Sequence, residues 1–319
     1  MGTKKLALAS DAPVAGVISG VSVTAVSGAD APAFLHGQLA NDVTGLAIGA
    51  AGRSLYLNHR GHAVAEVMVI RRERQSFELV EDGGAAAWVK AELERHIVFD
   101  EVTLAAPAPA VLVTLQGPGA ADVLTTLTVR APAQGETTVA AVAGVGKVTV
   151  WPRHRSAAGG YDLLLAAGSS AEPLLADLEG AGAKRAAPGE LDLLRVRALT
   201  AVAPQDAGEG VLPQEAGLES ALSYRKGCYL GQEIMARIEA RGNLRRGLRR
   251  VRLTQDPRTL TPDGSDWREL RSGGRVVGRL GTVAPDGKEF EALAVVRQDL
   301  PADAELVAGG EVTAALIGV

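Results

Sequence analysis

The residues best suited to chemistry lie between Arg225 and Glu233. The only cysteine of the chain, Cys228, follows Lys226 there, and apolar residues further on predict a helix that begins near residue 231. A thiol just before a helix N-terminus and beside cations favours its thiolate form. Such a thiolate could attack an electrophile, accept a small group or ligate a soft metal. A small, inert, buried cysteine is the alternative interpretation.

Basic residues are concentrated around the same loop. Residues 225–252 contain nine basic and two acidic side chains, a local balance of +7, so the remaining chain carries −11. This segment could face an anionic ligand or partner, or it could form a solvated helix and strand surface. Tyr229 is its one aromatic residue, so the stacking surfaces of a single-strand nucleic-acid binder are missing. We therefore see no strong nucleic-acid signal.

The composition excludes several classes of protein. The 319 residues carry a formal net charge of −4, and 47% are apolar, which is typical of a folded globular chain. A single cysteine excludes a disulfide framework, a cysteine-based zinc site and a four-thiolate cluster held by one chain. Uncharged stretches at 12–29 and 102–121 are interrupted by Gly and Pro, and no secretory signal is recognised. We expect a cytoplasmic protein without a membrane span.

Two kinds of secondary-structure pattern divide the chain. In the first part, strand and helix signals alternate, with a hairpin around residues 58–61 and an amphipathic helix near 85–97. From about Leu248 onward, short β segments are separated by Gly, Pro and Asp. The sequence therefore predicts an α+β fold followed by a small C-terminal β-barrel, with a boundary near 240–248.

The loop around Cys228 also carries a family resemblance. The run Lys226-Gly227-Cys228-Tyr229-x-Gly231-Gln232-Glu233 resembles the signature of the YgfZ-type folate-binding proteins, which belong to the superfamily of the glycine-cleavage T-protein, an aminomethyltransferase. Segments 34–43, 115–118, 160–163 and 212–218 are similar to the superfamily in the expected order, so the resemblance covers essentially the whole chain.

The resemblance implies a fold and a division into domains. It predicts two α+β modules around a central cavity that accepts a folate, followed by the β-barrel. The implied divisions are a discontinuous folate-binding-like domain at 1–50 and 108–245, an inserted α+β domain at 51–107, and the barrel at 246–319.

The resemblance also implies a role in the assembly or repair of iron–sulfur proteins, particularly four-iron proteins, that depends on tetrahydrofolate. The expected partners are iron–sulfur client or scaffold proteins and a folate, with no permanently bound metal. Cys228 is then the functional thiol, and Lys226 lowers its pKa. The loop residues that shape the site are Gly227, Tyr229, Gly231, Gln232 and Glu233. Candidate folate-binding residues are Asn41, Asp42, Glu190, Arg195 and Arg237.

Two positions depart from the superfamily pattern. The T-protein carries paired acidic residues after a Gly-Gly turn, whereas the matching stretch here has Ala65 followed by Glu66. The superfamily also often has Arg-x-Glu on a helix where the carboxylate accepts hydrogen bonds from the pterin; here Arg197 stands in place of that acceptor. Glu190 or Asp192 could replace the missing carboxylate.

These departures leave other functions open. One alternative is a folate-dependent aminomethyltransferase or demethylase, against which Ala65 and Arg197 argue. Another is a non-catalytic folate-binding accessory protein, for example one that assists RNA modification. Whether the chain is an enzyme stays open at this point.

Overall fold

The computed structural model describes residues 12–259 and 266–317. Within those ranges the chain forms six α-helices, and three 3-10 turns lie at Pro213–Ala216, Glu219–Ala221 and Pro257–Thr259. The helices are α1 (Ala31–Gln38), α2 (Ala86–Arg95), α3 (Ala120–Thr126), α4 (Glu172–Gly180), α5 (Glu190–Arg197) and α6 (Gln232–Arg241).

Eighteen strands are present in the same ranges, and they form two open sheets and a closed barrel. The strands are β1 (Val14–Ile18), β2 (Ser22–Ser27), β3 (Ala51–Leu57), β4 (Ala63–Glu73), β5 (Ser76–Glu81), β6 (Thr103–Leu104), β7 (Ala108–Pro109), β8 (Leu112–Gln116), β9 (Thr138–Val142), β10 (Gly146–Pro152), β11 (Gly160–Leu165), β12 (Lys184–Arg185), β13 (Arg246–Leu253), β14 (Glu269–Ser272), β15 (Arg275–Asp286), β16 (Glu289–Arg297), β17 (Leu306–Ala308) and β18 (Val312–Ile317).

The first sheet has the order β12-β1-β8-β11-β10-β9, in which only the β1–β12 pair is parallel. Helices α3 and α4 supply Leu124, Leu174 and Leu178 to its core, where all three are fully buried. Leucines at spacings of three and four residues explain why these short helices form with one apolar side against the sheet.

The second sheet has the order β3-β4-β5-β2-β6, and β7 also pairs with β2. Helices α1 and α2 cover one of its faces. The predicted hairpin is present, since β3 and β4 pair antiparallel around residues 58–62. The other face packs against the first sheet through a shared cluster that includes Ile70, Leu112 and Trp151.

The first two described strands belong to different sheets. Strands β1 and β2 are neighbours along the chain, yet β1 pairs with β8 in the first sheet and β2 pairs with β5 in the second. The second sheet therefore begins at Ser22, well before residue 51. The division of the chain into independent domains stays a prediction.

The C-terminal β-barrel is confirmed. Its six strands close in the order β13-β16-β15-β14-β17-β18, and the first begins at Arg246. Alternating residues of the strands fill the interior with small and medium apolar side chains such as Val251, Ala292 and Ala294. Helix α5 packs on the outside through Val196, which contacts Ala284 and Leu293. This contact joins the barrel to the first part of the chain.

Candidate functional site

The loop that carries Cys228 is fixed to the end of α1 by Lys226. The Lys226 ammonium donates to the backbone carbonyls of His36, Leu39 and Asn41, the last at 3.1 Å. Carbonyls at the C-terminal end of a helix lack partners within the helix and attract cations. Desolvation lowers the pKa of Lys226 to about 8, so the ammonium still predominates at neutral pH and uses all three of its donors.

Gly231 lets the same loop touch the β3–β4 hairpin. Its φ is +82°, and a Cβ there would lie 2.9 Å from the Asn58 carbonyl oxygen and 3.3 Å from the Gly61 Cα. Any residue with a Cβ at position 231 would be strained by the left-handed backbone and would also collide with backbone atoms of the hairpin. At Gly227, by contrast, a Cβ would meet no atom within 4 Å. The glycine at 231 is thus required by packing, whereas the one at 227 lies in open space.

Cys228 is a free cysteine with an exposed side chain. Across residues 12–259 and 266–317, its thiol makes no hydrogen bond or ion pair. The next residue, Tyr229, is buried, and its ring lies 4.8 Å from Lys226 Nζ. Burial raises the pKa of the Tyr229 phenol to about 12, so it stays neutral and supports the loop. The thiol is thereby presented to solvent on a fixed loop.

The contacts favour an anchoring role for Lys226. All three of its N–H donors are directed to the carbonyls at the end of α1, so none remains for the Cys228 sulfur. The predicted activation of the thiol by Lys226 stays a prediction. Gln232 closes the loop, since its Nε2 donates to the Lys226 carbonyl at 3.4 Å.

Glu233 and Arg237 form an ion pair of 2.8 Å on the exposed side of α6. Two other candidate residues, Asn41 and Asp42, shape the loop after α1. Asn41 Nδ2 donates to the Arg53 carbonyl at 2.8 Å, and Asp42 accepts from the Gly45 backbone N–H at 2.9 Å. The structure thus brings Asn41 and Asp42 to the Cys228 loop, and none of these four candidates lines the central cavity.

The central cavity has a volume of about 850 Å³ and lies where the two sheets and the barrel meet. Its walls come from the end of β1, the turn after β5, the segment from β12 into α5, residues 202–205 and Arg268 just before β14. The charged residues of its lining are Asp82, Arg155, Arg185, Asp192, Arg195 and Arg268.

Three of the four arginines in the lining are bonded to carboxylates. The pairs are Arg155 with Asp82 (2.7 Å) and Asp162 (2.8 Å), Arg185 with Glu172 (2.8 Å) and Glu179 (2.7 Å), and Arg195 with Asp206 (2.6 Å) and Asp192 (3.1 Å). These pairs fix the positions of the guanidinium groups. They also leave most of the positive charge of the cavity wall compensated.

Helix α5 carries four residues singled out in the sequence, Glu190, Asp192, Arg195 and Arg197. Arg195 lines the cavity and also donates to Thr282 Oγ1 at 2.5 Å. Glu190 accepts the Ala187 N–H at 2.8 Å, a bond across the start of the helix, and lies outside the lining. Arg197 is directed to the barrel, where it pairs with Glu291 at 3.0 Å and Asp286 at 2.7 Å. Arg197 therefore does not occupy a place in the cavity wall.

The two residues that replace the acidic pair lie on opposite faces of β4. Ala65 is fully buried in the core under α1 and α2. Glu66 faces the first sheet, where Arg53 and Arg153 each donate to it at 2.5 Å. Burial alone raises the pKa of Glu66, but the Arg153 and Arg53 guanidinium groups outweigh burial and hold it well below its usual range. Glu66 is therefore a structural partner that is charged at neutral pH.

Sequence reasoning missed Arg268, Asp82 and Arg155 as cavity residues. Arg268 follows Trp267 in a short linker before β14, and no motif surrounds it. Asp82 and Arg155 pair across 73 residues of sequence, so no local pattern could have joined them. In the described parts of the chain, no group of three or more His, Cys, Asp or Glu side chains could hold a metal ion. The helices described there are all too short or too polar to cross a bilayer.

Comparison with known proteins gives consistent results. The family model described as the GCVT N-terminal domain matches residues 17–226. The tRNA-modifying protein YgfZ of Edwardsiella ictaluri is 30% identical over 288 residues, which cover 88% of this chain and 83% of that protein. An aminomethyltransferase of Nitrosococcus oceani is 26% identical over 239 residues, which cover 70% of this chain and 62% of that protein.

Among solved structures, the glycine cleavage system aminomethyltransferase T from Bartonella henselae matches with a TM-score of 0.75 and 20% identity. The match covers 97% of this chain and 85% of that chain. It shows that the two proteins share their fold and confirms the arrangement of mixed α/β modules with a C-terminal barrel.

Proposed function

The chain is a YgfZ-type member of the glycine-cleavage T-protein superfamily, and from this membership we propose that it is a tetrahydrofolate-dependent factor for the assembly or repair of four-iron iron–sulfur proteins. The observation that carries the proposal is the exposed thiol of Cys228 on a loop held by Lys226 and Gly231. Its accessibility suits transient contact with a protein client. Client and scaffold proteins would approach this loop from solvent.

A folate suits the central cavity by size and by chemistry. A volume of about 850 Å³ lies within the ~300–1,000 Å³ common for pockets that bind small molecules. Asp192 bonds to Arg195 through Oδ1, and among the described residues no group donates to its Oδ2. That oxygen is an acceptor that a pterin amino group could use, in place of the acceptor lost at Arg197. Folate would supply a carrier for a one-carbon unit when bound.

Aminomethyl transfer is disfavoured by the same geometry. The T-protein pattern needs a carboxylate at the position of Ala65, and this residue is fully buried in an apolar core. The neighbouring Glu66 is held by two arginines and cannot exchange a proton near neutral pH. A demethylase or aminomethyltransferase role would therefore require another acid or base.

A second candidate function is that of a folate-binding accessory in tRNA modification. The observation that favours it is the name of the Edwardsiella ictaluri relative, a tRNA-modifying protein. In this role the folate site would matter and the thiol would be dispensable. Variants of Cys228 therefore separate the two candidates.

The test is rescue of a host strain that lacks the gene. Several four-iron enzyme activities and the tRNA modifications are measured after return of the wild type, Cys228→Ala or Gly227→Ala. We expect low four-iron activities that wild type and Gly227→Ala restore and Cys228→Ala does not. Gly227→Ala is the matched control because it adds a methyl group to the same loop in open space. Rescue by Cys228→Ala would refute the thiol role, and normal enzyme activities without the gene would refute the iron–sulfur role.

A further inference from the structure

Arg268 differs from the other arginines of the central cavity. Within residues 12–259 and 266–317, each of the other three is hydrogen-bonded to at least one carboxylate, whereas Arg268 is bonded only to backbone carbonyls. It donates through Nη1 to Gln205 at 3.0 Å and to Leu280 at 3.3 Å. Among the four arginines of the cavity wall, Arg268 is therefore the one whose charge no directly bonded carboxylate compensates.

The position of Arg268 is fixed although its charge is not neutralised. The two carbonyls belong to the 202–205 segment and to β15, so two separate elements hold the guanidinium group. The guanidinium carbon lies 4.4 Å from the centre of the Trp267 ring, a cation–π contact that holds the plane of the group. Nη1 is occupied, so Nε and Nη2 remain as donors.

An unpaired guanidinium in a half-buried place costs free energy that a ligand can recover. Burial and the nearby Arg279 lower the pKa of Arg268, against the opposite effect of Asp206 and Asp266. An anionic ligand group that accepts from Nε and Nη2 would form a bidentate, charge-assisted pair. A planar carboxylate has the geometry for this pair.

We propose that Arg268 binds a carboxylate of the ligand in the central cavity and so selects ligands with an anionic end. This inference rests on the proposed function, in which the ligand is a folate, and it assigns the folate's glutamate part to Arg268. Asp192 lines the same cavity, and its Oδ2, which receives no donor from the described residues, is the acceptor for the pterin end. Arg268 is thus a specificity-determining residue contributed by the barrel.

Two ligands that differ only in the glutamate test the proposal. Folic acid and its diamide, in which both glutamate carboxylates are neutral amides, are titrated by calorimetry into the wild type, Arg268→Gln, Arg268→Lys and Arg185→Gln. Arg185 is the matched control because it also lines the cavity but is already paired with Glu172 and Glu179. We expect Arg268→Gln to weaken folic acid binding by about tenfold or more and binding of the diamide by less than about twofold. Arg268→Lys keeps the charge and should lose less.

The outcomes separate the inference from the proposed function. Equal losses for both ligands, or no loss for folic acid, overturn the role of Arg268. If the wild type binds neither ligand, the folate part of the proposed function fails, and inorganic phosphate then tests the anion site alone. We expect phosphate to raise the melting temperature of the wild type and Arg185→Gln more than that of Arg268→Gln. Equal shifts in all three proteins overturn the anion site as well.

Discussion

Replacing Gly231 by alanine tests the packing that presents Cys228. The new Cβ would lie 2.9 Å from the Asn58 carbonyl oxygen, and both Asn58 and Gly61 contribute backbone atoms that cannot turn aside as a flexible side chain does. The loop or the hairpin must therefore shift. The backbone at φ +82° adds a second cost, because an alanine in the left-handed region is strained.

The magnitude follows from these two costs. The left-handed conformation costs about 1–2 kcal/mol for a residue with a Cβ. Crowding in a well-packed place costs about 1–3 kcal/mol more. We expect Gly231→Ala to lower the free energy of unfolding by about 2–5 kcal/mol, a large part of the ~5–15 kcal/mol typical of a folded protein.

The assay is urea denaturation, with Gly227→Ala as the control in the same loop. At residue 227 an added Cβ meets nothing within 4 Å, so we expect a change within about 0.5 kcal/mol. The rate at which a thiol reagent labels Cys228 should change in Gly231→Ala, since the loop is displaced, and stay near the wild-type rate in Gly227→Ala. Equal stabilities for the two variants would refute the reasoning that Gly231 is required by its contact with the hairpin.

Two further predictions concern buried charges. Glu66→Gln should destabilise the protein by about 3–5 kcal/mol at neutral pH, because Arg53 and Arg153 would lose their shared carboxylate. The folded-state pKa of Glu66 lies below 4.5 because Arg153 and Arg53 outweigh burial, so its contribution is complete above that pH and is lost as the pH falls further. Urea denaturation between pH 3 and 7 should show a flatter acid limb for the variant, and parallel curves would contradict this account. Lys226→Met should lower the free energy of unfolding by about 1–3 kcal/mol and increase amide exchange at the end of α1, since three carbonyls lose their donor. Lys147→Met, at an exposed position of β10, is the control, and equal effects would show that Lys226 is not an anchor.

Local sequence patterns predicted two parts of the fold, the β3–β4 hairpin and the C-terminal barrel. The hairpin near Asn58 and Gly61 follows from turn-forming residues between apolar strands, and the barrel follows from short β segments separated by glycines. The assignment of β1 and β2 to different sheets could not be predicted, because it depends on which strand far along the chain pairs with each.

In the candidate site, too, local sequence revealed the residue types but not the contacts between distant residues. The sequence marked the Cys228 loop through its residue types, but Lys226 acts on carbonyls about 190 residues away, which no local pattern reveals. Arg195 and Arg197 were singled out as possible contacts or obstacles for a ligand. Arg195 also bonds to Thr282 and Arg197 bonds to Glu291, which lie 87 and 94 residues further on, and only the folded chain brings them together.

The attachment of α5 to the barrel has a consequence for how the molecule comes apart. Arg195 reaches Thr282 and Arg197 reaches Glu291 and Asp286, while Val196 between them packs on Ala284 and Leu293. Removing the barrel would leave two arginines without these partners and expose an apolar strip of helix. We therefore expect that a fragment ending before residue 246 does not fold on its own, and that heating melts the sheets and the barrel in one cooperative transition. Evolution within this architecture would then act on the barrel and the body together, since neither can be exchanged without its counterpart.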